Sequence, residues 1–199
     1  MEEQRIGLAE RIDKLRLAGK DKEAARLAGD EIGNCETARD AYFVYLALAD
    51  RGGCNEMLFE VCVDIARDKD GFNDLLYAEF LAGYANAIAQ YSRRPDTRKA
   101  FGLLNEARSL CLNDPGYYAM VVGTEAKVFF YANPEKFRSI NIKHACELFE
   151  KADNGFREAG EGFAQWRESN RKHWLLCQKR VPLFVIKLHR LIRPILGHR

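Results

Sequence analysis

The sequence lacks closely spaced cysteines. Its six cysteines include no Cys-x-x-Cys pair, and the two nearest in sequence, Cys54 and Cys62, are eight residues apart. Zinc ribbons and dithiol redox motifs need such pairs, so the sequence excludes both classes. We expect reduced cysteines that pack as small apolar side chains.

An export signal is also missing. The residues that follow Met1 are charged and of mixed polarity, with no apolar stretch and no small-residue cleavage site behind it. Signal peptides need both features, because an apolar segment must enter the membrane before cleavage. We therefore expect a cytoplasmic protein.

Motifs for phosphate binding, serine catalysis and metal binding are absent as well. Gly52-Gly53 is not followed by the Lys-Ser/Thr of a phosphate-binding loop, and no serine stands in a nucleophile elbow. His173 and Cys177 are four residues apart, which places two ligands on one side of a helix, but no second pair completes a zinc site. We predict no metal and no cofactor.

Helical periodicity runs through nearly the whole chain. Apolar residues recur at spacings of three and four, and Gly, Pro, Asn and Asp interrupt them about every 15 to 22 residues. The chain has 199 residues, 47% of them hydrophobic, which is enough to build a core in a single helical domain spanning 1–199. The predicted fold is all-α, with about 8 to 10 helices stacked as antiparallel hairpins.

Local signals give the expected helix boundaries. Asn73, and Asp114 followed by Pro115, are helix start signals, and Pro95 is expected as a first helical residue. Asp70-Gly71 and Asn154-Gly155 follow helical stretches, where a glycine that accepts a positive φ ends a helix. The predicted helices span about 3–17, 22–32, 37–50, 55–67, 73–91, 95–112, 116–131 and 142–153, with one or two more after residue 156.

Two segments carry the residue pattern of a helical repeat. The predicted helix 73–91 has large, small and aromatic residues at fixed spacing, and the next predicted helix has Ala, a large apolar residue and Ala. These residues are Tyr84, Ala87, Ile88, Tyr91, Ala100, Leu104 and Ala107. Ala145, Phe149 and Ala152 are similar to the second helix of another unit. The pattern resembles tetratricopeptide-repeat hairpins over about a quarter of the chain. The resemblance implies a right-handed superhelix whose first helices line a concave surface; an irregular helical bundle is the alternative.

The predicted helix 73–91 is apolar except for one polar stripe. Glu79, Asn86 and Gln90 are separated by seven and four residues, so they share one face, which we expect to be wet. In a stacked-hairpin fold this face lines the concave surface and binds a peptide or helix of a partner; a solvated outer face is the alternative. The predicted groove residues are Glu79, Asn86, Gln90, Arg93, Arg94, Glu125 and Lys127.

The C-terminal segment 169–199 is strongly basic. It contains eight Lys and Arg residues and no acid, which leaves 23 basic residues against 29 acidic ones in the rest of the chain. From Val181 to Leu196 the apolar residues follow helical spacing, which predicts a basic amphipathic helix too short and too charged to span a bilayer. The candidate contact residues are Lys179, Arg180, Lys187, Arg190 and Arg193.

Four roles are open for this basic segment. It is suited to cap the last open apolar face of the stack, because a basic helix complements an acidic body. It is also suited to lie on an anionic membrane surface, to bind nucleic acid phosphates, or to dock into the groove of a partner. The sequence does not choose among them.

One catalytic hypothesis comes from a pair of residues near the C-terminus. Arg167 is followed six residues later by His173, which resembles the Arg-to-His motif of the small all-α HEPN-type ribonucleases. The resemblance implies that Arg167 holds the scissile phosphate and that His173 moves the proton of the 2′-hydroxyl. Arg193 and His198 fit the same loose pattern, as chance predicts in a segment so rich in bases.

The function predicted from the sequence is binding rather than catalysis. We expect a scaffold, adaptor or chaperone-like module that holds a peptide or helix of another protein by shape complementarity along a groove. The first alternative is an all-α RNA-binding protein or HEPN-like ribonuclease that uses the basic C-terminal segment. The second alternative is a helical protein that associates with the membrane surface.

Overall fold

The computed structural model describes residues 7–52, 55–92, 94–132 and 138–180. Within these ranges the chain forms nine α-helices and two short 3-10 helices, with no strand, so the predicted all-α class is confirmed. The α-helices are α1 (Leu8–Leu17), α2 (Asp21–Glu31), α3 (Ala38–Gly52), α4 (Glu56–Arg67), α5 (Asp74–Tyr91), α6 (Thr97–Leu110), α7 (Pro115–Tyr131), α8 (Arg138–Ala159) and α9 (Ala164–Arg180). None of the helices in this part of the chain is long and apolar enough to cross a membrane.

Two predicted helix starts are confirmed by capping hydrogen bonds. The Asn73 side chain accepts a hydrogen bond from the Leu76 amide at 2.9 Å. The Asp114 carboxylate accepts hydrogen bonds from two backbone amides of α7, both at 3.0 Å. Pro115 is the first residue of α7, where a backbone N–H has no partner within the helix, so the lack of this N–H in proline costs no hydrogen bond. Caps of this kind stabilise a helix by about 1 kcal/mol each.

The predicted start of α6 is wrong by two residues. Pro95 lies before the helix, which begins at Thr97. Asp96 is the N-cap, and its carboxylate accepts a hydrogen bond from the Lys99 amide at 3.0 Å. The aspartate sets the boundary because it satisfies an amide that has no partner within the helix.

The two glycine stop signals have different outcomes. Gly71, with a φ of +87°, lies in the turn after α4 as predicted. Gly155 does not end a helix, because α8 continues to Ala159 and the chain turns at Gly160, where φ is +92°. A Cβ on Gly155 would lie 2.9 Å from the Cβ of Ala119 on α7. Glycine is needed there because α7 and α8 approach closely.

The helices alternate between two rows. The inner helices, α1, α3, α5, α7 and α9, contact one another in series along the chain. The outer helices are α2, α4, α6 and α8. Each of them contacts the inner helix that precedes it in the chain and the inner helix that follows it. The described part of the chain is therefore a stack of helical hairpins, with the inner helices forming one continuous layer.

An aromatic cluster joins α3, α4 and α5. The rings of Phe59 and Tyr84 stack with centroids 4.6 Å apart, and Phe80 meets Tyr42 and Tyr45 at 5.2 and 5.8 Å. All five side chains are buried. Full burial of a large apolar side chain stabilises a fold by roughly 1.5–3 kcal/mol, so this cluster is a main source of stability for the N-terminal hairpins.

The residues that carry the tetratricopeptide resemblance lie at helix contacts. Small side chains at these positions let neighbouring helices approach closely. Tyr91 is different, since it is 40% exposed and its hydroxyl donates to Asp50 at 2.9 Å. Close packing at such positions is found in tetratricopeptide-repeat hairpins and in other helical hairpins. Membership of the tetratricopeptide-repeat family therefore stays a prediction. The fully buried positions on α6 and α8 are Ala100, Leu104, Ala107, Ala145, Phe149 and Ala152.

Candidate functional site

The inner helices surround one open cavity of about 450 Å³, which we call the inner cavity. Every lining residue comes from an inner helix except Phe156 of α8. A volume of this size is within the range of ligand sites. Its polar lining residues include Arg16, Arg39, Glu79, Asn86, Lys127, Ser169 and Asn170.

The buried Glu79 carboxylate forms an ion pair with an exposed arginine in the cavity wall. The side chain has no exposed surface, and its Oε1 accepts a hydrogen bond from the Arg39 guanidinium at 2.6 Å. Arg39 also lies over the rings of Tyr42 and Phe43, at 5.2 and 5.3 Å from their centroids. Desolvation raises the pKa of Glu79, although Arg39 opposes the shift. The expectation of a wet polar stripe is therefore wrong at this residue.

Lys127 brings positive charge to the same cavity. It is half-buried on α7, and desolvation lowers its pKa to about 8, with the Asp50 charge opposing the shift. The Asp50 carboxylate is bound by the Arg16 guanidinium at 3.0 Å and by the Tyr91 hydroxyl at 2.9 Å. Lys127 makes no ion pair within the described ranges. A charged ammonium without a counter-ion favours an anionic group beside it.

Asn170 supplies a hydrogen-bond acceptor. Its side-chain amide donates to the Phe149 carbonyl oxygen at 2.9 Å, while its Oδ1 has no hydrogen-bond partner in the part of the chain that the structure describes. The side chain is 3% exposed. Gly123 makes room for it, because a Cβ there would lie 2.9 Å from Oδ1. A buried acceptor without a partner costs about 1–3 kcal/mol of stability.

The structure brings together three of the predicted groove residues and separates the others. Glu79, Asn86 and Lys127 line the inner cavity. Gln90 lies beside it and donates a hydrogen bond to Asn86. Arg94 is exposed in the turn between α5 and α6 and does not line the cavity, and Arg93 lies outside the described residues.

Glu125 does not line the cavity either. Its carboxylate accepts a hydrogen bond from the Arg108 guanidinium of the outer helix α6 at 2.5 Å. Residues two positions apart in an α-helix differ by about 200° around its axis, so Glu125 and Lys127 point in nearly opposite directions. The prediction that both lie on one surface is therefore wrong.

A second buried carboxylate lies between α8 and α9. Asp153 is 2% exposed and accepts hydrogen bonds from Arg157, Arg167 and Arg171 at 3.1, 2.9 and 2.7 Å. Desolvation opposes ionisation here, but these three hydrogen bonds outweigh it and lower the pKa to about 2. Of these three contacts, only that of Arg157 is indicated by the sequence, because Arg157 lies four residues after Asp153 on the same helix.

The candidate catalytic residues have separate partners. Arg167 is bound to Asp153, whereas His173 Nδ1 lies 2.8 Å from the Tyr131 hydroxyl and its ring stacks on Phe149 with centroids 6.4 Å apart. Desolvation, and then the charge of Lys127, lower the pKa of His173 to about 4. The imidazole is therefore uncharged at neutral pH.

The basic segment is described only as far as residue 180. Its first basic residues contact carboxylates of the fold, since Arg171 binds Asp153 and Lys172 pairs with Glu168 at 3.0 Å. Lys179 is exposed near the end of α9, and Arg180 is the last residue of that helix. Three further candidates lie outside the described residues, namely Lys187, Arg190 and Arg193.

No group of three or more His, Cys, Asp and Glu side chains in the described ranges is arranged to hold a metal ion. Comparison of the chain with protein-family models, with curated proteins and with solved structures finds no match in any of the three. The helices define an all-α hairpin stack, and the inner cavity is its candidate functional site.

Proposed function

We propose that the chain binds a peptide or helix of a partner protein in the inner cavity and acts as an adaptor or chaperone-like module. The observation that carries the proposal is the origin of the cavity walls, because all five inner helices contribute to them. The stacked fold therefore presents one preformed concave shape to a ligand. Binding by shape and charge needs no catalytic residue.

The chemistry of the walls favours a segment that carries an acidic group. Lys127 offers a partly desolvated positive charge, and an anion beside it offsets that desolvation. Trp166 and Leu17 add apolar surface, and Leu17 is 67% exposed. An acidic residue flanked by apolar ones would use all of these groups.

The tetratricopeptide resemblance supports the same proposal. It implies that the first helix of each hairpin faces the ligand, and the cavity-lining helices are the inner ones. We further propose that this binding takes place in the cytoplasm, as expected from the sequence.

The test is selection of ligands from a library of random peptides displayed on phage. The same library is applied to the wild-type chain and to two variants, Ser169→Trp and Ser109→Trp. Ser169 lines the cavity on α9, whereas Ser109 is exposed on the outer helix α6. A tryptophan at 169 fills space that a ligand needs, and one at 109 does not.

We expect selected peptides to be rich in acidic and apolar residues. Ser169→Trp should weaken their binding about tenfold or more, and Ser109→Trp should leave it within about twofold. Circular dichroism of both variants should be measured to check that they are folded. Equal binding to all three proteins contradicts the proposal, as does binding of RNA or anionic vesicles with no selection of peptides.

A further inference from the structure

Cys146 and Cys177 lie side by side between α8 and α9. Their Sγ atoms are 2.9 Å apart, although no bond joins them. A disulfide bond is about 2.05 Å long, so the two sulfur atoms need to approach by only about 1 Å to form one. Cys177 is fully buried, and its Sγ also lies 3.3 Å from the Ile142 carbonyl oxygen. Cys146 is half-buried, so it is the member of the pair that lies nearer to solvent.

The pair differs from the other described cysteines. Burial raises the pKa values of Cys62 and Cys111 to about 12 and about 11, and it also raises the pKa of Cys35. The hydrogen bond with Cys177 lowers the pKa of Cys146 instead. Since the thiolate is the reactive form, we expect Cys146 to react more readily near neutral pH than Cys35, Cys62 or Cys111.

We propose that Cys146 and Cys177 are a peroxide-sensitive modification site whose oxidation joins α8 to α9 by a disulfide. The inference stands on the geometry of the pair and does not depend on the proposed binding function. Under reducing conditions the pair is a dithiol until a peroxide reaches it.

The chemistry proceeds in two balanced steps. The Cys146 thiolate attacks one oxygen of a hydroperoxide, the O–O bond breaks, and the leaving oxygen takes up a proton to give water or an alcohol, with a sulfenic acid on Cys146. The Cys177 sulfur then attacks the Cys146 sulfur, the S–O bond breaks, and the hydroxyl leaves with the Cys177 proton as water. The peroxide gains two electrons, and the two thiols lose them.

The test uses the full-length chain, reduced and then treated with equimolar hydrogen peroxide. Remaining thiols are blocked with N-ethylmaleimide, and the protein is digested with trypsin, which cuts after Lys and Arg. Cys146 and Cys177 then lie in separate fragments, 144–151 and 173–179. We expect mass spectrometry to find these two fragments as one linked species, about 2 Da lighter than their sum, which dithiothreitol separates.

Three variants make the assignment specific. Cys146→Ser should abolish the linked species, and Cys62→Ser, the matched control, should leave it unchanged. In Cys177→Ala the second step is blocked, so Cys146 should accumulate as a sulfenic acid that dimedone traps. If Cys177→Ala does not fold, Cys146→Ser still decides the question.

A competition between thiols gives the second readout. In the reduced protein, limiting N-ethylmaleimide should label Cys146 about tenfold faster than Cys35, Cys62 or Cys111. Two results would overturn the inference: oxidation of Cys146 to sulfinic or sulfonic acid without any linked fragment, or labelling of Cys146 no faster than of Cys62.

Discussion

Glu79 and Asp153 are both buried carboxylates, and their surroundings change their pKa values in opposite directions. Glu79 has one arginine partner, Arg39, and desolvation raises its pKa. Asp153 accepts hydrogen bonds from three arginines, which outweigh desolvation and lower its pKa to about 2. Neither side chain is more than 2% exposed, but Glu79 lies deeper in the protein than Asp153 does. Stronger desolvation with a single arginine raises the pKa of Glu79, whereas weaker desolvation with three arginines lowers that of Asp153.

The two carboxylates also lie in different regions of the fold. Asp153 does not line the inner cavity, and two of its arginines come from α9, so the cluster fixes α9 against α8. Glu79 lies in the cavity wall, where it is fully buried and its partner Arg39 is 43% exposed. We therefore expect substitutions at Asp153 to change stability, and those in the cavity to change binding.

The largest effect is expected from Asp153→Asn. A pKa lowered to about 2 in the folded state corresponds to about 2 kcal/mol of stability at neutral pH, and we expect a loss of that size. Urea unfolding at pH 7 measures it. Glu158→Gln, at an exposed position of the same helix, should change the free energy of unfolding by less than about 0.5 kcal/mol. Equal effects of the two substitutions would refute a structural role for the Asp153 cluster.

The two carboxylates should also affect stability differently as the pH falls. Since the folded pKa of Asp153 is below its ordinary value, its contribution is present above about pH 4 and is lost as the pH falls to about 2. The wild type should lose about 2 kcal/mol more than Asp153→Asn across that window. Glu79 acts in the opposite sense, because its raised pKa means that protonation stabilises the fold. Urea midpoints between about pH 2 and pH 5 test this, and parallel curves for the two proteins would contradict it.

Next in size is the effect of Lys127→Ala on binding. Removing the ammonium should weaken the affinity for a selected acidic peptide about tenfold, or about 1.4 kcal/mol, measured by calorimetry. The free energy of unfolding should not decrease, because the ammonium is desolvated in the fold and makes no ion pair in the described ranges. Lys22→Ala, exposed on the outer helix α2, is the matched control and should leave the affinity unchanged.

The same lysine predicts a pH dependence of binding. In the free protein desolvation lowers the pKa of Lys127 to about 8, and a bound carboxylate raises it again. The complex therefore holds a proton that the free protein loses above pH 8, so the affinity should be constant below that pH and fall above it. Titrations from about pH 6 to pH 10 measure this. If the affinity of Lys127→Ala falls with pH as steeply as that of the wild type, a group other than Lys127 causes the pH dependence.

The smallest effect is expected from Glu79→Gln. Gln does not carry a charge that must be desolvated, and Arg39 is 43% exposed, so water can hydrate it. The free energy of unfolding should change by less than about 1 kcal/mol, again measured in urea. A loss as large as that of Asp153→Asn would show that one arginine stabilises a buried carboxylate as well as three do.

Helix positions were predictable because their signals are local. Asn73, Asp114 and Gly71 act through atoms within a few residues, and the structure confirms all three. The spacing of seven residues from Glu79 to Asn86 also placed both on one helix face, and both line the cavity.

The contacts between α8 and α9 were not predictable in the same way. Arg171 meets Asp153 from 18 residues away, and Cys177 meets Cys146 from 31 residues away. No local spacing indicates such pairs, because they depend on how two helices pack. Gly155 was misinterpreted for the same reason, since its role is the close approach of α7.

Chemical-shift mapping of the backbone amides, with a selected acidic peptide added to the labelled chain, tests the central claim most directly. We predict that the shifted amides lie on the inner helices α1, α3, α5, α7 and α9, around the residues that line the cavity. Amides of the outer helices α2, α4 and α6 should shift little. Shifts confined to the outer helices, or to residues beyond 180, would contradict the inner cavity as the binding site.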